Sequence, residues 1–139
     1  INLLSYEGYD ISPKLVHECN ERIRFGWARF QEGIKPRKTI PFSIMSGTYN
    51  LAATRDVFAW ENYIFECLKK CWSKTSKAMV FNLQISERAK VSESNIYFAE
   101  KNKIIETCVA LFGPTRVIFD KDLPNDATFS VINRSLVSS

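Results

Sequence analysis

Several motifs that identify a catalytic or metal-binding chemistry are missing from this 139-residue sequence. It has one histidine, four cysteines without a CxxC pair, and five glycines that form no glycine-rich run. The residue patterns therefore contain no zinc motif, no P-loop and no Ser-His-Asp constellation. The single His17 lies beside the apolar stripe of a predicted helix, where we expect a surface side chain without a catalytic role. We name no catalytic residue and no metal ligand.

Charge and hydropathy exclude further classes of partner. The net charge of +4 is small and scattered, and the basic stretch KPRK at 35–38 has no interleaved aromatic residues. We therefore expect no nucleic-acid partner. No apolar run is long enough to cross a bilayer and no signal peptide is recognisable, so we expect no membrane association.

The four cysteines are expected to be buried and reduced. Cys19, Cys71 and Cys108 fall on predicted apolar helix faces, and Cys67 flanks one. Thiols four residues apart on one helix could bind a metal, but the chain offers no acid–histidine cluster beside them. Buried, reduced thiols are typical of a reducing compartment.

What the sequence does have is an alternation of strand and helix patterns. Predicted strands cover 6–10, 27–33, 42–45, 77–83, 115–123 and 127–134, and predicted helices begin at 13, 58 and about 100. Ser12 supplies an N-cap for the first helix, which we expect to end near Phe25. This order predicts one α/β domain over residues 1–139, with a mostly parallel sheet closed by an antiparallel hairpin. The turn of that hairpin is expected at 124–126.

The helix over 58–74 has the clearest pattern. Trp60, Ile64, Leu68, Cys71 and Trp72 recur at helical spacing, and Glu61 lies off this stripe. The strand at 77–83 is almost continuously apolar, which favours cover on both of its faces. The polar stretch at 84–95 is interpreted as a loop.

Five short stretches together resemble the class I S-adenosylmethionine-dependent methyltransferases, and bacterial small-molecule enzymes in particular. These are GYDIS (8–12), FSIMSGTYNL (42–51), VFNL (80–83), YFAE (97–100) and DATFSVINR (126–134). The resemblance extends over about residues 6–134 and implies a Rossmann-like sheet. The first strand of that family and the glycine-rich turn after it are absent and would precede residue 1. The resemblance therefore implies a partial domain that lacks its first strand and helix, with a second copy or another chain covering the gap.

The resemblance implies three groups of cofactor contacts. Asp10 would accept both ribose hydroxyls of S-adenosylmethionine, with Ile11 against the adenosine; alternatively, Asp10 caps the helix that begins at Pro13. Gly33 and Ile34 would adjoin the adenine, at a position where many relatives have an acid. Ser46 and Gly47 would border the sulfonium end, or simply form a turn between strand and helix.

The resemblance also implies four acceptor contacts. Tyr49 and Asn50 would face the acceptor. Asn82 would orient the substrate or tie down the loop at 84–95, because a buried Asn needs partners. Tyr97 would cover the pocket, or else belong to the core.

The implied function is methyl transfer from S-adenosylmethionine to a small-molecule acceptor in the cytoplasm. The alternative is a truncated, non-catalytic α/β scaffold that pairs with another chain.

Overall fold

The computed structural model describes residues 4–133, which divide between Lys38 and Thr39 into two compact units. The predicted frayed tail at 135–139 lies outside the described residues. Within residues 4–133, the helices are too short or too polar to span a membrane. The expectation of a single domain stays a prediction.

The first unit is a small strand–helix–strand motif. It consists of β1 (Tyr6–Asp10), α1 (Pro13–Arg22) and β2 (Ala28–Glu32). The two strands pair in parallel, with Asp10 opposite Glu32 at their carboxyl ends. As predicted, Ser12 is the N-cap of α1, and its hydroxyl accepts the Leu15 N–H at 3.3 Å. The helix ends at Arg22, three residues before the predicted end.

A polar cluster holds the end of this unit against β1. The Tyr9 hydroxyl donates to Glu7 Oε2 at 2.6 Å, and Lys38 Nζ lies 3.0 Å from Glu7 Oε1. These two contacts lower the pKa of Glu7 below its ordinary value, with the Tyr9 hydrogen bond as the larger cause. The basic stretch at 35–38 therefore has a structural partner in its own unit.

The second unit contains the larger sheet and the remaining helices. Its elements are β3 (Ile40–Met45), α2 (Val57–Trp72), β4 (Thr75–Gln84), β5 (Lys90–Val91), β6 (Tyr97–Phe98), α3 (Lys101–Leu111), β7 (Thr115–Asp120) and β8 (Leu123–Ile132). Four strands form one sheet in the order β3-β4-β8-β7. Strand β3 is parallel to β4, while β8 is antiparallel to both of its neighbours. Three of the four strands therefore run in one direction, and the C-terminal antiparallel hairpin is confirmed.

The core of the second unit lies on one face of this sheet. Alternate residues of the central strands are buried there beneath α2 and α3, and Phe81 stacks on Phe129 across the β4–β8 pair with ring centroids 5.3 Å apart. The opposite face carries Phe42 and Ile44 of β3 and Ile118 of β7, all more than half exposed. Cover on both faces was expected for this sheet, but the described residues of the second unit cover only one.

Four local predictions are corrected. The hairpin turn is formed by Lys121 and Asp122 rather than 124–126, because Asp120 Oδ1 accepts the Asp122 N–H at 2.9 Å and closes the turn early. The stretch 84–95 contains β5, which pairs with β6. Glu61 is only 5% exposed, although it was placed off the apolar stripe. Cys19 is half-buried, whereas Cys67, Cys71 and Cys108 are buried as expected.

We predict that Phe81→Ala lowers the free energy of unfolding by about 3–5 kcal/mol, because it leaves a cavity in the one core of this sheet. Phe58→Ala is the matched control, since Phe58 is 71% exposed on α2, and we expect a change within about 0.5 kcal/mol. Urea unfolding followed by tryptophan fluorescence measures both. Equal decreases in the free energy of unfolding of the two variants would contradict the assignment of Phe81 to the core.

Candidate functional site

The carboxyl end of β1 presents an acid and an apolar side chain to solvent. Asp10 is exposed, and its Oδ1 accepts the backbone N–H of Ser12 at 2.8 Å. The second carboxylate oxygen has no hydrogen bond within residues 4–133. Ile11 follows with 74% of its surface exposed. The contact with Ser12 fits the capping alternative, and it leaves one oxygen available for a ligand.

The end of β2 adjoins the same acid within the first unit. The Gly33 N–H donates to the Asp10 carbonyl at 3.1 Å, so two of the predicted cofactor positions lie together. Gly33 has φ +153°, and a side-chain carbon there would lie 3.3 Å from the Tyr9 ring. Ile34 comes next and is 42% exposed. Glycine is favoured at position 33 because it tolerates this positive φ angle and leaves room for the Tyr9 ring.

In the second unit, Asn82 fixes the turn that follows β3. Its Oδ1 accepts the Gly47 N–H at 2.6 Å, while its Nδ2 donates to both carboxylate oxygens of Asp126 at 3.2 Å. Gly47 has φ +68°, a left-handed conformation that favours glycine, and open space surrounds the position of a side-chain carbon. Ser46 and Asn82 line a hollow of about 120 Å³. The structure thus brings Ser46, Gly47 and Asn82 together, and both polar ends of the Asn82 amide are already bonded within the protein.

Of the other predicted acceptor residues, Tyr49 and Tyr97 are buried and Asn50 is half-buried. The Tyr97 N–H donates to the Asn50 carbonyl at 2.9 Å, and the Trp60 indole N–H donates to the Tyr49 carbonyl at 3.2 Å. Tyr49 is 4% exposed and Tyr97 fully buried, which fits the alternative that Tyr97 belongs to the core. Burial is the main cause that raises the pKa of both phenols far above their ordinary value, so both stay protonated at neutral pH.

Glu61 is a buried acid that the sequence pattern did not identify. Its Oε1 lies 3.2 Å from Lys103 Nζ of α3, and its Oε2 is buried with no hydrogen-bond partner among residues 4–133. Its charge adds to the raised pKa of Tyr97, so the two side chains interact. A glutamate one position from the helix stripe was a weak signal of this contact, because its partner is 42 positions away along the chain.

A second hollow, of about 270 Å³, lies where β4 ends and α3 begins. It is lined by Ile85, Ser86, Glu87, Glu100, Lys101 and Asn102. None of the predicted site residues lines it. Its position at the carboxyl end of a strand is one where open α/β sheets bind ligands.

Comparisons with solved structures identify the fold. The structure is similar to DhpI in complex with SAH, at 11% identity and a TM-score of 0.62, over 91% of this chain and 64% of that one. It is also similar to a SAM-dependent methyltransferase of the DUF858 family from Leishmania major, at 10% identity and a TM-score of 0.66, over 94% and 55%. A protein described as a pericyclic reaction enzyme matches at 8% identity and a TM-score of 0.64, over 93% and 36%.

No family model and no curated protein matches the sequence. The chain spans less than two thirds of the length of DhpI and of the Leishmania methyltransferase.

We predict that Asn82→Asp destabilises the protein by about 1–3 kcal/mol at pH 7, because it sets a second carboxylate against Asp126 and removes two donated hydrogen bonds. Repulsion raises the pKa of one carboxyl in the folded state, so the loss shrinks as the pH falls towards about 4. Urea unfolding midpoints across this pH range measure it.

The double substitution Asn82→Asp/Asp126→Asn is the matched rescue. The new carboxylate at position 82 still accepts the Gly47 N–H, and the new amide at 126 donates to it. We expect recovery of most of the stability at pH 7, and a double variant no more stable than Asn82→Asp would contradict this account of the turn.

The described fold is similar to these solved structures over more than nine tenths of this chain, at TM-scores of 0.62 and 0.66. The protein therefore has the class I S-adenosylmethionine-dependent methyltransferase fold.

Proposed function

We propose that the protein transfers a methyl group from S-adenosylmethionine to a small-molecule acceptor. The observation that carries the proposal is the fold, which it shares with methyltransferases at TM-scores of 0.62 and 0.66. Neighbours were solved in complexes with SAM or SAH. An S-adenosylmethionine molecule supplies a methyl group made electrophilic by its sulfonium sulfur.

The residues of the first unit fit a nucleoside. Asp10 is exposed and keeps one carboxylate oxygen unbonded in the described residues, so it can accept from ribose hydroxyls while Ser12 holds its orientation. Ile11 offers an exposed apolar surface beside it. Gly33 and Ile34 are proposed next to the adenine, where a backbone without a side chain permits close approach.

In the second unit, the turn at Ser46 and Gly47 fits a group that approaches the backbone closely. Open space surrounds Gly47, and its conformation is held by the Asn82 amide. Tyr49, Asn50, Asn82 and Tyr97 remain the proposed acceptor contacts. Because all four are buried or hydrogen-bonded within the protein, we assign them the task of shaping and supporting the acceptor site. Displacement at a methyl carbon depends mainly on orientation and exclusion of water, so no residue is named as catalytic.

Partners and location complete the proposal. We propose a small-molecule acceptor, and a second copy or another chain that covers the sheet edges left unpaired. The four cysteines, three of them buried, support a reducing compartment and hence the cytoplasm.

Isothermal titration with S-adenosylmethionine tests the cofactor. We predict binding to the wild-type chain and a loss of affinity of about tenfold to a hundredfold in Asp10→Ala, the value expected for charge-assisted hydrogen bonds. Asp120→Ala is the matched control, because Asp120 makes the same carboxylate contact to the N–H two residues on, at 2.9 Å, at the end of another strand. The control should bind as the wild type does.

Two results of the titration would redirect the proposal. If a folded chain does not bind, the scaffold alternative is favoured. If both Asp variants lose the same affinity, the ribose role of Asp10 is wrong. A neighbour of this fold is described as a pericyclic reaction enzyme, so binding alone does not establish transfer. Labelled-methyl transfer to pooled small acceptors must be measured as well.

A further inference from the structure

A short two-strand ribbon follows the carboxyl ends of β3 and β4 and carries two of the proposed acceptor residues. It pairs residues 50–52, which follow β3 in the chain, with residues 95–97, which follow β4. The Tyr97 N–H donates to the Asn50 carbonyl at 2.9 Å, and the Ala52 N–H donates back across the ribbon at 2.7 Å. Because residues that lie opposite each other on antiparallel strands share a face, the Asn50 and Tyr97 side chains lie on the same face of the ribbon.

Two neighbouring residues of α2 contact this ribbon or the residue directly before it. The Trp60 indole N–H donates to the Tyr49 carbonyl at 3.2 Å. Burial is the main cause that raises the pKa of Tyr97, and the charge of the Glu61 carboxylate adds to it. The Tyr97 hydroxyl and Glu61 Oε2 are both buried, and neither has a hydrogen-bond partner within residues 4–133. Each of these two atoms therefore needs a polar partner, and the other one supplies the matching donor or acceptor.

The buried Glu61 carboxylate has one cation beside it. Lys103 Nζ of α3 lies 3.2 Å from Glu61 Oε1, and the side chain of Lys103 is half exposed whereas that of Glu61 is 6% exposed. Loss of one partner of a buried ion pair is strongly destabilising, because it leaves the other charge uncompensated. The pair of Lys69 and Glu66 on α2 differs in this respect, because both of its side chains are exposed and screened by water.

We propose that Glu61 and Lys103 are positioning residues that hold the ribbon, and with it the proposed acceptor contacts Asn50 and Tyr97. In this arrangement the Tyr97 hydroxyl donates to Glu61 Oε2, and Lys103 compensates the charge of the carboxylate through Oε1. The ribbon then depends on a charge carried by α3, which contains none of the predicted site residues. The inference rests on the proposed function for the role of the ribbon. Its test measures amide exchange, so it can fail while methyl transfer stands, and the reverse.

Removal of the cation tests the proposal directly. Lys103→Met keeps most of the side-chain stem and leaves the Glu61 carboxylate unpaired. We expect the Tyr97 and Ala52 amides to exchange with deuterium at least about tenfold faster, and the amides of the β4–β8 ladder to change much less. The double variant Lys103→Met/Glu61→Gln should recover most of the protection, because a neutral amide needs no counter-charge. Hydrogen exchange followed by NMR measures each amide separately.

The pH dependence separates an effect of charge from an effect of packing. Titratable side chains that contact or act on Glu61 among residues 4–133 are Lys103 of α3 and Tyr97 of β6. In Lys103→Met, protonation of Glu61 removes the unpaired charge, so the ratio of protection factors between wild type and variant should fall towards one near about pH 4. Lys69→Met is the matched control on an exposed ion pair, and we expect a change below about twofold.

Tyr97→Phe covers the case in which Lys103→Met does not fold. It removes only the hydroxyl, which leaves Glu61 Oε2 without its proposed donor, and we expect faster exchange of the Ala52 amide.

Four results would overturn the proposal. The first is unchanged exchange of the ribbon amides in a folded Lys103→Met or Tyr97→Phe chain. The second is equal acceleration of the ribbon and of the β4–β8 ladder, which would make the ion pair a general stabiliser of the unit. The third is a loss of protection that is independent of pH, and the fourth is a loss that Glu61→Gln does not recover.

Discussion

Within the described residues of the second unit, the larger sheet is covered on one face only, and most features of this unit follow from that asymmetry. Alternate residues of β4 and β8 bury against α2 and α3, with the Phe81–Phe129 stack at the centre. Strand β8, the last strand within residues 4–133, lies between β4 and β7, so it contributes to the core instead of forming an edge of the sheet. Strand β3 lies at one end of this sheet, and its apolar side chains Phe42 and Ile44 are exposed on the face opposite the core.

The polar side chains at the carboxyl ends of the strands mainly hold the backbone conformation of the turns that follow, through hydrogen bonds to backbone N–H groups. Asn82 engages the Gly47 N–H and the Asp126 carboxylate, two groups that lie 35 and 44 positions away along the chain. The left-handed conformation of Gly47 is thereby fixed before any ligand arrives. The proposed site at this turn would bind through backbone shape and open space, as the proposed methyl transfer requires when it depends on orientation.

The sequence predicted what depends on local periodicity and missed what depends on distant partners. The stripe of α2 and the existence of the closing antiparallel hairpin follow from residue spacing and were confirmed, although the turn of the hairpin was placed too late in the sequence. Glu61 was placed outside the core because its own helix gives no reason to bury it; the reason is Lys103 on α3. The turn at Lys121 and Asp122 was missed because Pro124 suggested a break. Pro124 is tolerated because the β8 ladder with β4 begins only at Asp126.

The cofactor residues predicted in the first unit raise an energetic point of their own. Between residues 4 and 38 the one buried residue is Pro36, and α1 buries none. Two strands and a helix without a core are marginal in water, so the arrangement of Asp10, Ile11 and Gly33 rests on local hydrogen bonds and on the Glu7–Tyr9–Lys38 cluster. A ligand that binds only the ordered form stabilises it by mass action, and part of its binding energy is spent on that ordering. Weak affinity of a correct ligand is therefore the natural outcome for this unit, and the ratio between Asp10 and Asp120 variants is more informative than the absolute affinity.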